Sequence, residues 1–384
     1  MKNLPVFFLI LFLFPQGLLA WNDHVNMTRL ALEPIEGTLL PTAVIAYESV
    51  ENVLAVVKSS DGSAIRTIEI FGKIYGIHTE KVKWEWAGTK GKPLTAREIL
   101  AYSSMEVDDG MDQDLHLSDD QQYMGGYTGL SSQGFRHMYY EAFTPSRLST
   151  FHFPTHEMGQ SPERALAYFE LALACEKADH HFWAYRFLGW GLHYVEDLGQ
   201  PYHANQFASL RLLPLMKLLK GWKAFIAETT RIVGNFHLSF EEYADYILET
   251  KPDSRILMSF RLPAADKDFS KYIGQAGPKK VKPTMLKLAT TSNELASVIV
   301  AAQIKLMGEE LFLPDMDIIS GFRDSNGIPK IAFETFLKNA ANEASLKKFD
   351  DALITALSNT SIAARWFVET FVLEASSEMR KVEK

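Results

Sequence analysis

The stretch HYVEDLGQPYH, from His193 to His203, constrains this chain more than any other. His193 and Asp197 stand four residues apart, so on a helix they share one face, a turn apart. Gly199 and Pro201 then stop that helix, and the chain brings His203 round near its end. Two imidazoles and a carboxylate on such a frame suit a borderline cation such as zinc. Taken alone, a histidine and an acid at this spacing also make an ordinary hydrogen-bonded pair on a helix surface.

The remaining pattern is helical. SPERALAYFELALACEKA opens with Ser161 as an N-cap and Pro162 at the first helical position, and a helix over 181–198 follows. Asp23 is a candidate N-cap for a helix ending near Leu32. Further helices are predicted over 38–58, 96–105, 208–230, 237–249, 284–312, 329–345 and 347–380. Residues 59–95 read as a small irregular insertion in which RTIEIFGKIYGI has strand character. Residues 106–136, acidic and then rich in Gly, Ser and Gln, read as a long ordered loop, and long loops in compact domains tend to be functional. The fold class expected is mainly α.

A second histidine–acid pair repeats the first: His237 and Glu241, again four apart, begin a helix rich in aromatics. A looser group holds Asp108 or its neighbour Asp109 in EVDDGMD, with Asp112 a weaker candidate, and His137 in GFRHMYY. For the acids the alternative is solvated loop polarity, and for His137 a hydrogen-bonded core histidine.

Residues 1–20 have the layout of a secretory signal: one Lys, an apolar core from Val6 to Phe14, and a small residue, Ala20, at the cut. That core is too short to cross a bilayer comfortably. The chain is therefore expected to be exported, to the periplasm or the medium, with Trp21 as its new first residue. Cys175 is the one cysteine, so no internal disulfide forms, and an exported chain without one relies on size, packing or metal. The net charge of −8 argues against a general nucleic-acid binder.

In chain order the candidates run Trp21, His24, Asp108, His137, His193, Asp197, His203, His237 and Glu241. With this set the sequence resembles the bacterial zinc-dependent phospholipase C family and, more distantly, the single-strand-specific zinc nucleases on the same helical fold. HYVEDLGQPYHAN is similar to that family's His-Tyr-x-Gly-Asp-x-x-x-Pro-x-His-x-Asn, with both ligand spacings kept. HLSFE resembles its His-x-x-x-Glu pair, HVNMTRLAL its first ligand helix, and FRHMYY its His-aromatic pair. The resemblance spans about residues 21–312 and implies a helical catalytic domain there, with 313–384 as a helical C-terminal extension whose Trp366, Phe367 and Phe371 can dock on the core.

The resemblance further implies three zinc ions. One would be held by Asp108, His137, His193 and Asp197. A second would take the amine and carbonyl of Trp21, His24 and the other oxygen of Asp197, about 3.5–4 Å from the first as in two-metal hydrolases. A third would be held by His203, His237 and Glu241. An α-amine titrates near 8, so a metal displaces its last proton at neutral pH, whereas an uncut leader turns it into an amide that is no ligand. The activity implied is hydrolysis of the glycerol-side phosphodiester of phospholipids to diacylglycerol and a phosphorylated headgroup by metal-activated hydroxide. Asp108 would be the catalytic residue that orients the nucleophile or acts as base.

The sequence departs from the pattern in places. Trp21 and His24 are closer than the family's gap, Asp108 and His137 further apart, and Glu196 stands where the motif has a small Gly. An insert over 209–226 is Leu-rich, with Arg211, Lys217, Lys220 and Lys223 on its polar side and Trp222 and Phe225 within it. It suits one helix lying in a membrane interface, with Leu212, Leu215, Leu218 and Leu219 on the apolar side, or an amphipathic helix packed on the core. Two other functions remain open at this stage. One is a zinc nuclease or other phosphodiesterase. The other is a non-catalytic, zinc-stabilised lipid-binding protein. PYHANQF favours the lipase side, and the chain lacks the Gly-Gly-Asn run of the nucleases.

Overall fold

Aromatic and small residues crowd the centre of the chain, and they set its architecture. The structure, a computed structural model, describes residues 23–49, 52–53, 55–56, 93–108, 136–141, 157–205, 208–251, 254–263, 269, 273, 277–318, 322–323, 326, 329–339 and 342–382. Trp21, Asp109, Asp112, the proposed signal and nearly all of the 59–95 insertion lie outside these residues.

In chain order the helices are α1 (His24–Leu32), α2 (Ala96–Glu106), α3 (Ser161–Lys177), α4 (His181–Gly199), α5 (Pro201–Ala204), α6 (Trp222–Thr250), α7 (Arg255–Arg261), α8 (Pro278–Leu306), α9 (Phe333–Leu337) and α10 (Glu343–Val382). The strands are β1 (Val44–Ile45), β2 (Leu94–Thr95), β3 (Tyr139–Tyr140) and β4 (Met158–Gly159). β1 pairs antiparallel with β2, Val44 opposite Thr95, and β3 pairs antiparallel with β4, Tyr139 opposite Gly159. The fold is mainly helical, as the periodicity requires.

Helix α4 is the axis of the molecule. Every residue from Phe182 to Gly199 is buried, with α2, α3, α8 and α10 packed around it. Its first half is an aromatic ladder: Trp183 and Trp190 meet edge-on at 6.3 Å, with Phe187 between them, 5.4 Å from Trp183 and 5.2 Å from Trp190. A helix whose first half is apolar around most of its circumference belongs in a core, which is where α4 sits. Within that core Arg186 donates to both oxygens of Glu106 at 2.9 Å, and Trp190 Nε1 donates to the same carboxylate at 2.9 Å. This buried pair fastens the end of α2, and hence Asp108 two residues on, to α4.

Several predicted elements differ from those observed. The span 38–58 is not one helix: Pro41 and the β-branched Thr42, Val44 and Ile45 favour extended chain, which pairs with Leu94–Thr95, and among its described residues helical backbone is confined to 52–53 and 55–56. Ser161 is not the cap of α3. Gln160 occupies that position, and the Ser161 hydroxyl donates to the Arg136 carbonyl at 3.0 Å. The predicted helix over 208–230 is split by Pro214 and Gly221 into two 3₁₀ turns, Leu210–Leu212 and Leu215–Lys220, followed by α6. Gly221 has φ of 99°, a left-handed conformation that breaks any helix entering it. α6 then runs unbroken through the separately predicted 237–249 helix, whereas the described part of 329–345 holds the short α9 and the first residues of α10, not one helix.

Gly199 ends α4 because nothing larger fits. A β-carbon there would lie 1.8 Å from Thr360 Oγ1 of α10. Replacing a helical glycine by alanine usually stabilises by about 1 kcal/mol. Here Gly199→Ala is expected to destabilise by about 1–3 kcal/mol through overpacking, and Thr360→Ala to recover part of that loss in the double variant. Urea unfolding of the four proteins of this double-mutant cycle measures both effects.

Candidate metal centre

Four helices and two flanking segments deliver polar side chains into one buried volume at the C-terminal end of α4. α4 supplies His193 and Asp197 by helical spacing. Gln200 is extended, with φ of −85° and ψ of 120°, and its side chain accepts from the Tyr202 amide. The chain turns there into α5, which carries His203. α1 begins at His24, with Asp23 as its cap accepting from the Asn26 amide at 3.0 Å. Asp108 follows α2, His137 precedes β3, and His237 and Glu241 lie one turn apart on α6. All eight side chains are buried.

Around one point the separations are short. His137 Nδ1 lies 2.8 Å from His193 Nε2 and 3.0 Å from Asp197 Oδ2. His193 Nε2 lies 3.2 Å from Asp197 Oδ2, and Asp108 Oδ1 is 3.6 Å from His137 Nδ1 and 3.7 Å from His193 Nε2. Ligands about 2.0–2.1 Å from a tetrahedral zinc stand about 3.3 Å from each other, and these five edges bracket that value.

The second oxygen of Asp197 turns elsewhere. Oδ1 lies 3.6 Å from His24 Nε2, which is itself 3.9 Å from Asp108 Oδ2. Both aspartates therefore divide their oxygens between two histidine groups. A third group has His237 Nε2 2.8 Å and His203 Nε2 3.9 Å from Glu241 Oε1. Among the described residues, three sets have ligand atoms within 4.8 Å of one another and can hold a metal: His24, His193 and Asp197; Asp108, His137 and His193; and His203, His237 and Glu241.

Several of these atoms have no hydrogen bond: His24 Nε2, Asp197 Oδ1, His203 Nε2 and Glu241 Oε2. An unsatisfied buried polar group costs about 1–3 kcal/mol, more when charged. Buried polar atoms without partners on four separate side chains are what a cation would satisfy, displacing the His24 proton on binding, and nitrogen and oxygen donors without thiolate fit zinc and its neighbours in the series.

Residues outside the sequence-derived set aim the donors. The Glu196 carboxylate accepts from His24 Nδ1 at 2.6 Å and from the Thr28 hydroxyl at 2.7 Å. His203 Nδ1 donates to the His137 carbonyl at 2.7 Å, which turns its Nε2 toward Glu241. Gln200 Nε2 donates to Glu241 Oε1 at 2.7 Å. In the sequence Glu196 shows only as a departure from the motif's small Gly, because its partners His24 and Thr28 lie on a distant helix.

Electrostatics agree with the geometry. Burial alone would raise the Asp197 carboxyl, but the charges of His193 and His203 and hydrogen bonds from His137 and His193 hold it well below the usual carboxylate range. For His24, burial opposes protonation, yet the hydrogen bond and charge of Glu196, with the charges of Asp197 and Asp108, raise it to about 9. Burial lowers His203 to about 3 against the pull of Asp197, with His237 and His137 adding repulsion. Burial raises Glu241 above its ordinary value.

No protein-family model matches the chain. No curated protein matches it either. Solved structures similar to it include the alpha-toxin of an avian strain of Clostridium perfringens, 12% identical with a TM-score of 0.39, and the alpha toxin of Clostridium absonum, 12% identical with a TM-score of 0.38. Each match covers 94% of this chain and 65% of the other, so the chain spans about two-thirds of the length of the structures it matches. Likeness of this degree carries no information about chemistry, which rests on the side chains themselves.

The two shifted histidines give a stability signature for chelator-stripped protein. His24 is raised from 6.5 to about 9, so its contribution is complete below pH 6.5 and is lost as pH rises toward 9, on the order of 3 kcal/mol over that window. His203 is lowered from 6.5 to about 3, so its contribution is present above pH 6.5 and is lost as pH falls toward 3. Urea unfolding across pH 3–9 should show both limbs, the alkaline one flattened by His24→Gln and the acid one by His203→Gln.

Proposed function

We propose that this chain is a zinc-dependent phospholipase C, which cleaves the glycerol-side phosphodiester of phospholipids to diacylglycerol and a phosphorylated headgroup. The observation that carries the reading is Asp197: a fully buried carboxylate with Oδ2 3.0 Å from His137 Nδ1 and Oδ1 3.6 Å from His24 Nε2, the two oxygens serving separate imidazole groups. A carboxylate shared in this way suits paired cations, and paired cations suit an anionic phosphodiester that resists attack by hydroxide.

Asp108, His137, His193 and Asp197 would hold one zinc. His24 and Asp197 would contribute to holding a second, with the Trp21 amine and carbonyl once residues 1–20 have been removed on export to the periplasm or medium. His203, His237 and Glu241 would hold a third. Bound zinc brings water to a pKa near 7 and offsets the charge that grows on phosphate oxygens. Asp108, with one oxygen toward each of the first two groups, orients the attacking water and takes its proton. Burial of all the donors keeps bulk water from screening these interactions.

The 209–226 insert supports a lipid surface as the substrate's setting. Leu212 and Phe225 are buried and anchor the segment, whereas Leu210, Leu215, Met216, Leu218 and Leu219 face outward, Met216 at 75% and Leu219 at 81% exposure. Lys220 and Lys223 are exposed beside them. Apolar side chains flanked by cations match the boundary between acyl chains and anionic headgroups.

Phosphatidylcholine, phosphatidylethanolamine and single-stranded DNA, offered to protein whose intact mass and metal content are measured, test the assignment. Diacylglycerol release that stops with chelator and returns with zinc is expected, from a chain lacking residues 1–20. DNA cleavage without diacylglycerol release would replace this reading with a nuclease. Exchanging Leu215, Met216, Leu218 and Leu219 for Ser is expected to reduce hydrolysis of vesicle lipid at least tenfold while sparing a soluble ester. Leu212, buried, is kept as the anchor. Equal loss on both substrates would assign the segment to packing.

A further inference from the structure

Glu196 is the one carboxylate of α4 that touches the donor cluster without facing its centre. Fully buried, it lies between His193 and Asp197 and reaches sideways to α1, where Oε2 accepts from His24 Nδ1 at 2.6 Å. Its other oxygen accepts from the Thr28 hydroxyl, 2.7 Å away, and Thr28 Oγ1 stands 3.0 Å from Ser104 Oγ on α2. Ser104 in turn donates to the Ala101 carbonyl at 2.8 Å. His24 and Thr28 are four residues apart on α1, so one carboxylate grips both ends of one helical turn.

The consequence for His24 is chemical as well as positional. An ionised carboxylate only accepts, so the proton of a neutral His24 ring sits on Nδ1 and the Nε2 lone pair is left facing Asp197 Oδ1 at 3.6 Å and Asp108 Oδ2 at 3.9 Å. The opposite tautomer would put N–H on Nε2 and block it as a ligand. A carboxylate on the outer nitrogen also makes the inner one a better donor, and losing such a partner typically costs 10–100-fold in metal affinity.

We infer that Glu196 is a positioning residue that fixes the tautomer and orientation of His24 and thereby sets the affinity of the His24–Asp197 metal site, the inference resting on the proposed metal-bound reading. The effect is expected to be local: the contacts that orient the other groups include His203 Nδ1 on the His137 carbonyl and Gln200 on Glu241, away from α1.

Glu196→Gln and Glu196→Asp separate tautomer control from simple charge. Gln keeps the volume but can present an amide N–H to Nδ1, which favours the blocked tautomer. Asp keeps the charge but falls a methylene short of His24. Zinc bound per chain is measured by mass spectrometry at a series of buffered free zinc concentrations, and the His24 tautomer by ¹⁵N resonance of the ring nitrogens in chelator-stripped protein above pH 9, where the ring is neutral. Both variants are expected to lose 10–100-fold affinity at one site while retaining the others, and Gln to move the His24 proton to Nε2. Thr28→Val, which leaves His24 and the carboxylate in place, is expected to give a smaller loss at the same site and serves if either Glu196 variant fails to fold. Wild-type affinity at every site in the folded Glu196 variants, or an unchanged tautomer in Gln, overturns the inference. Asp retaining full affinity while Gln loses it assigns the effect to charge and also overturns it. A wild-type chain that binds no zinc overturns the proposed function itself, and the inference with it.

Discussion

A carboxylate buried among imidazoles is the constraint around which this molecule is arranged. Asp197 has no access to solvent, and its ionised form is sustained by His137, His193 and His203. Taking such a charge out of water is costly unless it is paired and hydrogen-bonded. The chain meets that cost by bringing histidines from α1, the segment before β3, α4 and α5 to one place, which means that helices distant in sequence must meet at fixed distances. The centre is thus also the point where the fold is most tightly specified.

The supporting contacts form a connected series. Arg186 and Trp190 hold Glu106, which fixes the approach of Asp108. The backbone carbonyl of His137, whose ring faces Asp197, accepts from His203, so the first donor group orients a member of the third. Gln200 accepts from the Tyr202 amide and donates to Glu241, so one side chain sets both the start of α5 and the position of an α6 carboxylate. Tyr202 stacks on His237 with ring centroids 5.5 Å apart. A perturbation at the α4–α5 break therefore moves donors on three elements together, because buried polar networks are coupled through shared partners.

The sequence exposed the donors more readily than their supports. His193, Asp197, His237 and Glu241 were legible because helical spacing of four is a local property, and His203 because Gly199 and Pro201 announce the break between them. Glu196 was visible only as a departure from a motif, since its partners His24 and Thr28 lie 172 and 168 residues away and no local rule links them. Gln200 was hidden for the same reason: its role at Glu241 is a tertiary contact. The 38–58 segment misled because apolar residues there fit a helical period, while Pro41 and the β-branched run decide the backbone. The 208–230 segment has the composition of one helix, but Pro214 and Gly221 break its backbone.

The C-terminal helix belongs to the same argument. α10 closes over Gly199 through Thr360, and Phe367 meets Phe169 of α3 at 5.2 Å, so it covers the face of α4 that leads to Asp197. Arg365, half-way along, donates from Nε to the Ala31 carbonyl at the end of α1 and from Nη2 to the Phe260 and Arg261 carbonyls at the end of α7. Helix C-termini leave carbonyls without intrahelical partners and carry partial negative charge, and a guanidinium answers both needs. α1 is thereby held at both ends, by Glu196 near His24 and by Arg365 near Leu32. The position of its first residue, on which the second donor group depends, is set by contacts reaching from the middle and from the end of the chain.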